Sequence, residues 1–137
     1  MKNEFMPPEN ILMNLGITQE TRIVDLQKGF NTFYPYLKLE FYKRPSRQNK
    51  ILQKAEKINP HEQIQRITRP LKPGIVPVEP KITVSQVVEE FWKSFGLATL
   101  VFRKSGNLWI ETSLTDSWSL EKQNKIGESF SNLPNSF

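Results

Sequence analysis

The sequence predicts an α+β protein: a two-layer sandwich of the ferredoxin-like, split βαβ type, extended by a C-terminal hairpin and a closing helix. Three observations lead there. A helix-then-strand pattern occurs twice, a proline-dense connector separates the copies, and a tight-turn signal follows the second copy. A β-grasp-like sheet around the second copy is the alternative. Neither architecture fixes a function by itself.

The repeat shows when the chain is slid by 61 residues. Ile23 falls on Val84, Leu26 on Val87, Phe30 on Phe91 and Tyr34 on Phe95, with no gap needed. Apolar residues at i, i+3, i+7 and i+11 form one stripe of a helix. Pro35 stops the first helix by lacking a donor, and Gly96 stops the second by tolerating positive φ. Alternation follows, with Leu37, Leu39 and Phe41 expected on one strand face and Ala98, Leu100 and Phe102 on its counterpart. Thr83 with Gln86 makes a capping box for the second helix, and Thr18 or Thr21 is the expected cap of the first. Gly29 inside the first helix costs about 1 kcal/mol against alanine and marks a close helix crossing.

One domain is expected over residues 1–137. Its parts are a first helix-strand unit at 18–44, a basic proline-rich connector at 45–80, a second unit with hairpin and helix at 81–130, and a flexible tail at 131–137. Extended pieces from Ile11 to Leu15 and from Gly74 to Val78 complete two βαβ halves in one antiparallel sheet. Within the connector, Gln48 to Ile58 reads as a short basic helix, and Pro60, Pro70, Pro73, Pro77 and Pro80 then forbid long elements. Lys104-Ser105-Gly106-Asn107 reads as a hairpin turn that pairs Phe102 with Trp109. Val101, Leu108 and Ile110 then share the opposite face, which the C-terminal segment is expected to cover. Ser117 or Ser119 caps that segment's helix, which carries Trp118, Leu120, Ile126 and Phe130.

A chain of 137 residues with 37% apolar content builds a modest core without staples, and it has no cysteine. Disulfides, thiolate metal sites and cysteine nucleophiles are therefore excluded. The N-terminal MKNEFMPPENILMNLG lacks a signal-peptide pattern, and no apolar run reaches the roughly 18 residues of a membrane span. The expectation is a cytoplasmic protein away from membranes. The net charge of +5 is concentrated: residues 38–72 hold ten basic against three acidic side chains, while the flanks are each slightly acidic. Such clustering suits a polyanion or an acidic protein face.

No catalytic or cofactor constellation emerges. His61 is the only histidine, in Pro60-His61-Glu62, with no second imidazole and no cysteine beside which to share a metal. Glu89 and Glu90 lie beside the second helix's apolar stripe, where acids are usually solvated. Glu111 shares a face with Phe102 and, with Asp116, is the one candidate for acid-base chemistry. No glycine-rich phosphate loop opens a helix. The expectation is a non-enzyme with no cofactor and no metal. Candidate contacts to a polyanion or a partner are Lys38, Lys43, Arg44, Arg47 and Lys50, with Arg103, Lys104 and Asn107 at the hairpin. Tyr34, Tyr36 and Tyr42 stand near these cations, as on base-stacking sheets.

From Thr83 onward the chain carries FGL at Phe95 to Leu97, VFRKSGN at Val101 to Asn107, Trp109, Glu111-Thr112 and TDSWSLEKQN at Thr115 to Asn124. This wording resembles a family of small uncharacterised bacterial proteins that share FGLxxxVFRKSGNxWxET and TDxW[TS]LExQN. YPYLKLEF at Tyr34 to Phe41 is similar to that family's N-terminal strand. The resemblance covers roughly the last 45 residues well. It implies that these elements form one folded unit, and it implies no activity and no catalytic residue. The expected role is an interaction or structural component of a larger bacterial assembly or mobile-element system, with a protein partner. A basic nucleic-acid-binding module acting through residues 38–72 is the alternative.

Overall fold

Two helices with matching apolar stripes organise the molecule, and the computed structural model describes them within residues 13–43, 56–68 and 72–132. In chain order the elements are β1 (Asn14–Ile17), α1 (Ile23–Phe33), β2 (Leu37–Tyr42), β3 (Gly74–Pro77), α2 (Val84–Phe95), β4 (Ala98–Ser105), β5 (Leu108–Glu111) and α3 (Leu120–Ser131). Single 3₁₀ turns lie at Ile64–Arg66 and Ser113–Thr115. Ile23, Leu26 and Phe30 of α1, and Val84, Val87, Phe91 and Phe95 of α2, are buried as the stripes require. Thr83 and Gln86 form the expected capping box of α2, and Gly96 closes it at φ 67°. The first helix begins at Arg22 rather than at Thr18 or Thr21. Asp25 accepts from the Arg22 backbone N–H at 2.9 Å, which brings the two helix starts into the register of the repeat.

The α+β class and the order β-α-β, β-α-β are as the sequence indicates, but the strands are divided between two antiparallel sheets. β1 pairs with β3, and β2 pairs with β4, which pairs with β5. In the first sheet Leu15 lies opposite Val76, its own equivalent in the repeat. In the second, Leu39 lies opposite Val101. Exchanging the two copies maps each ladder onto itself, so the halves are related by a pseudo-twofold axis through these two apolar pairs. α1 packs on β1 and β2, and α2 on β3 and β4, as that symmetry demands.

The symmetry reaches the segment that follows each second strand. Ile23 N–H donates to the Glu62 carbonyl at 3.1 Å and Val84 N–H to that of Trp118 at 3.2 Å. Val24 N–H donates to Pro60 at 2.7 Å and Ser85 N–H to Asp116 at 2.8 Å. In return Ile64 N–H donates to Thr21 and Leu120 N–H to Ile82, both at 2.8 Å. The first four of these bonds satisfy the first two orphan donors of each helix N-terminus. Ile64 and Leu120 fill the corner so formed and are fully buried. The prolines after the first strand therefore serve a docking loop built like the entry to α3. Glu56 to Ile58, expected within a helix, is instead extended against β2, with Ile58 N–H donating to Phe41 at 2.9 Å and Lys57 bridging Tyr42.

One residue breaks the simple slide. α2 has 12 residues against the 11 of α1, so the alternation in β4 is shifted. Thr99 and Val101 face the core beside Leu39 and Phe41, with Arg103 next on that side, whereas Ala98, Leu100 and Phe102 face outward. The hairpin also closes one residue later than expected, around Gly106 and Asn107, with Gly106 at φ 63°. Phe102 accordingly pairs with Glu111, and Trp109 with Lys104. A register moved by two positions keeps the faces, so Val101, Leu108 and Ile110 still share one side. Val101 is buried, but Leu108 and Ile110 stay 70% and 42% exposed, so α3 does not cover them.

α3 is capped by Ser119, which accepts from Lys122 N–H at 3.1 Å. It seats on the strands through a glycine: a Cβ on Gly127 would meet Tyr36 Cβ at 2.9 Å and the Lys104 carbonyl at 3.2 Å. Phe91 meets Phe41 edge to face at 5.1 Å in the centre of the core. Phe91→Ala is expected to lower stability by about 3–5 kcal/mol in urea unfolding. Gly127→Ala is expected to destabilise despite alanine's better helix propensity, because backbone rather than a movable side-chain end stands in the way. Leu114→Ala should stay within about 0.5 kcal/mol.

Candidate functional site

The face of the second sheet turned away from the helices carries Lys38, Glu40 and Tyr42 from β2, Leu100 and Phe102 from β4, and Trp109 from β5. All six are half-buried, and they hold one another in place. Lys38 Nζ lies 4.9 Å over the Trp109 ring and 5.7 Å from that of Phe102, a cation–π arrangement. It also pairs with Glu40 at 3.4 Å, and Lys57 reaches the same carboxylate at 3.5 Å. Gln27 donates to the other Glu40 oxygen at 3.3 Å. Burial, followed by the Glu40 and Glu111 carboxylates, raises the Tyr42 pKa, so this phenol stays protonated.

Three cations of the basic middle of the sequence, Lys43, Lys57 and Arg66, meet at the end of this sheet. A cleft of about 430 Å³ there is lined by Tyr42, Lys43, Lys57 and Arg66, with Glu62 and Gly96. Lys43 pairs with Glu56 at 3.5 Å, and both are well exposed. Arg44, Arg47 and Lys50 lie outside the described residues. Lys104 and Asn107 belong to the opposite end of the sheet, at the hairpin. Among the described candidates, Lys43 thus lies at the cleft, Lys38 on the sheet face, and Lys104 with Asn107 at the hairpin.

Arg103, read as a hairpin contact, turns inward instead. Its guanidinium donates to Gln123 Oε1 at 2.9 Å and stacks 5.8 Å from the Trp118 ring. Gln123 is fully buried and donates onward to the Thr115 carbonyl at 2.8 Å. Arg103 therefore fastens α3 and the Ser113–Thr115 turn to β4. Trp118 and Trp109 both serve as platforms for cations, Lys122 lying 4.2 Å over Trp118. Tyr34, read as a stacking tyrosine, is buried and donates to the Val78 carbonyl at 2.6 Å, while Tyr36 lies against Asn124 and Gly127 of α3. Only Tyr42 of the three faces the open sheet.

Glu111 is exposed and accepts from the Ser113 hydroxyl; Asp116 is exposed as well. His61 is an exposed loop residue whose carbonyl accepts from Arg22. Among the described residues no group of three or more His, Asp or Glu side chains could hold a metal ion. No helix among them is long and apolar enough to cross a membrane.

Sequence reasoning missed a second cleft, of about 270 Å³, between α2 and the edge of β4. Val88 and Trp92 form one wall and Leu100 and Val101 the other, with Glu89, Glu111 and Asp116 around the rim. Trp92 is 47% exposed, and Leu114 on the neighbouring turn is wholly exposed. Reading Val88 and Trp92 as off-stripe apolar residues of α2 would have pointed to it. Compared with protein-family models, with curated proteins and with solved structures, the chain finds no match.

Burial, then the Glu121 and Glu79 carboxylates, hold the Tyr34 pKa well above the ordinary phenol value near 10. A raised pKa means that folding favours the protonated phenol, so its contribution is complete below about pH 10 and is lost as pH rises further. Tyr34→Phe is expected to cost about 1 kcal/mol at pH 7 through the lost hydrogen bond. It should also flatten the decline in stability between about pH 10 and 11.5, measured by urea unfolding at each pH.

Proposed function

We propose that the chain is a non-enzymatic interaction component of a larger bacterial assembly or mobile-element system, and that the outward sheet face is its contact surface. The observation that supports this reading is the Lys38–Trp109–Phe102 stack with Glu40. It is an aromatic and cationic surface ordered by its own side chains, on which no described helix packs. Such a patch loses little side-chain freedom on docking, and aromatic residues supply most of the binding energy in protein contacts. Of the motif-bearing residues, Phe102 and Trp109 lie on this face, which is where kinship with the bacterial family of similar wording would have its physical meaning.

A nucleic-acid reading has one specific observation in its favour: Lys43, Lys57 and Arg66 meet at one cleft beside Tyr42. Two of these cations are already neutralised by Glu56 and Glu40, which reduces what they offer a phosphate. The two readings separate by salt. Partner capture from the source organism's extract is expected to survive about 300 mM salt and to be lost in Phe102→Glu and in Trp109→Ala. Anisotropy titration of single- and double-stranded DNA and RNA should show no tight binding at about 50 mM salt. Micromolar binding that falls steeply with salt, and is weakened by Lys43→Gln with Arg66→Gln, would reverse the ranking.

A further inference from the structure

The three-stranded sheet has two edges, and the chain treats them differently. On the β2 side the carbonyls of Leu37, Leu39 and Phe41 point away from β4, and all three are taken. Asn31 donates its side-chain amide to Leu37 and Gln27 to Leu39, each at 3.0 Å, and Ile58 N–H donates to Phe41 at 2.9 Å. β5 is the other edge, with β4 as its one neighbour among the described strands. Lys104 N–H donates to the Tyr36 carbonyl, so Arg103 and Ser105, which alternate with it, turn their backbone to β5. Their partners Ile110 and Leu108 face β4 in return, as does Thr112, whose N–H donates to the Val101 carbonyl at 3.2 Å. Trp109 and Glu111 therefore direct their N–H and carbonyl groups out of the sheet.

Exposed strand edges are ordinarily blunted by proline, lysine, a bulge or a covering element. β5 reads Leu-Trp-Ile-Glu, without proline or lysine, and its ladder with β4 runs without a bulge. Leu108 and Ile110 are 70% and 42% exposed, and Asn107 and Glu111 at the two ends are exposed as well. The strand is also its own complement about Trp109. A second copy laid antiparallel, with Trp109 opposite Trp109, sets Leu108 opposite Ile110 and Ile110 opposite Leu108. These apolar pairs fall where no main-chain bonds cross and side chains stand closest. Glu111 then meets Asn107, an amide, rather than a second carboxylate. An axis at Ile110 would instead set Leu108 against Thr112, whose N–H and hydroxyl are given to Val101 and after which the chain turns into Ser113–Thr115.

We propose that the β5 edge is a self-association site, at which a second copy of this chain pairs β5 to β5 about a twofold axis at Trp109 and the two three-stranded sheets become one. The Trp109 N–H and carbonyl exchange both bonds with those of the second copy. Leu108 and Ile110 of the two copies cover one another on the side that α3 leaves open. On the other side the two Lys38–Phe102–Trp109 stacks form one continuous surface. The inference goes beyond the interaction reading and shares only Trp109 with it. A paired strand of four residues is a small interface, so one chain and two exchange at micromolar concentrations.

The test is sedimentation equilibrium of the full chain from about 5 to 500 µM, over which the mass is expected to rise from one chain towards two. Leu108→Lys sets a cation against Ile110 at an exposed position and should weaken association about tenfold. Glu111→Pro removes an N–H that points out of the sheet and takes none from the β4 ladder, and it should weaken association severalfold while keeping a folded spectrum. The register has its own readout, because the chain has no cysteine. Leu108→Cys mixed with Ile110→Cys in a glutathione redox buffer should give about five times more disulfide-linked dimer than either variant alone. The mass of one chain at every concentration overturns the proposal. So does association that both folded edge variants leave unchanged, or cross-linking as ready within each cysteine variant alone as in the mixture. Such a failure leaves partner capture at Phe102 standing, since Phe102 lies on β4 and not on the edge, and a loss of capture leaves the measured mass as it is.

Discussion

The structure depends on the contact between its two halves along the axis that passes Leu15 with Val76 and Leu39 with Val101. Neither half buries its own helix stripe alone. β1 and β2 of the first copy do not pair with each other, and each finds its ladder only in the second copy. Two sheets of two and three strands are too small to stand by themselves, and it is their joint packing against α1 and α2 that makes a core. Folding is consequently expected to be cooperative across the whole chain, with long-range pairing setting its rate.

The same constraint explains the entry segments. A helix N-terminus leaves four unpaired donors, and both halves answer with the same solution, a returning chain whose carbonyls at Pro60 and Glu62, or at Asp116 and Trp118, accept the first helical N–H groups. In the first half that chain is a proline-containing loop, in the second the lead into α3. Prolines are admissible because the bonds use their carbonyls and not the donors that they lack. A connector that reads as loose on composition thus has one of the most strictly specified parts of the backbone in it.

The helix stripes, the Thr83 capping box, the Gly96 stop and the α+β order were legible because each is local: a spacing of three or four residues, a cap three residues from its partner, a turn. Pairing was less legible. The slide of 61 residues predicted Leu100 and Phe102 inward, and a single extra residue in α2 reversed that, because strand faces alternate with period two. Tyr34 looked like a surface tyrosine among lysines, but its distance from Val78 in the sequence conceals a hydrogen bond across the core. Arg103 looked like a hairpin cation for the same reason, its partner Gln123 lying on another element. The outward face of Lys38, Phe102 and Trp109 depended on the one register that local signals do not determine.

Departures from symmetry mark where the molecule differs from a bare scaffold. Where Gln27 and Asn31 spend their amides on backbone carbonyls, Val88 and Trp92 expose an apolar wall. Where, among the described residues, the first half brings Glu56 to Ile58 beside its strand, the second brings a hairpin with Trp109. Both departures fall on the second copy and border the same sheet. In the first copy polar side chains of the helix close the backbone edge of the strand, whereas in the second the corresponding helix positions hold Val88 and Trp92 and the strand is extended by a hairpin.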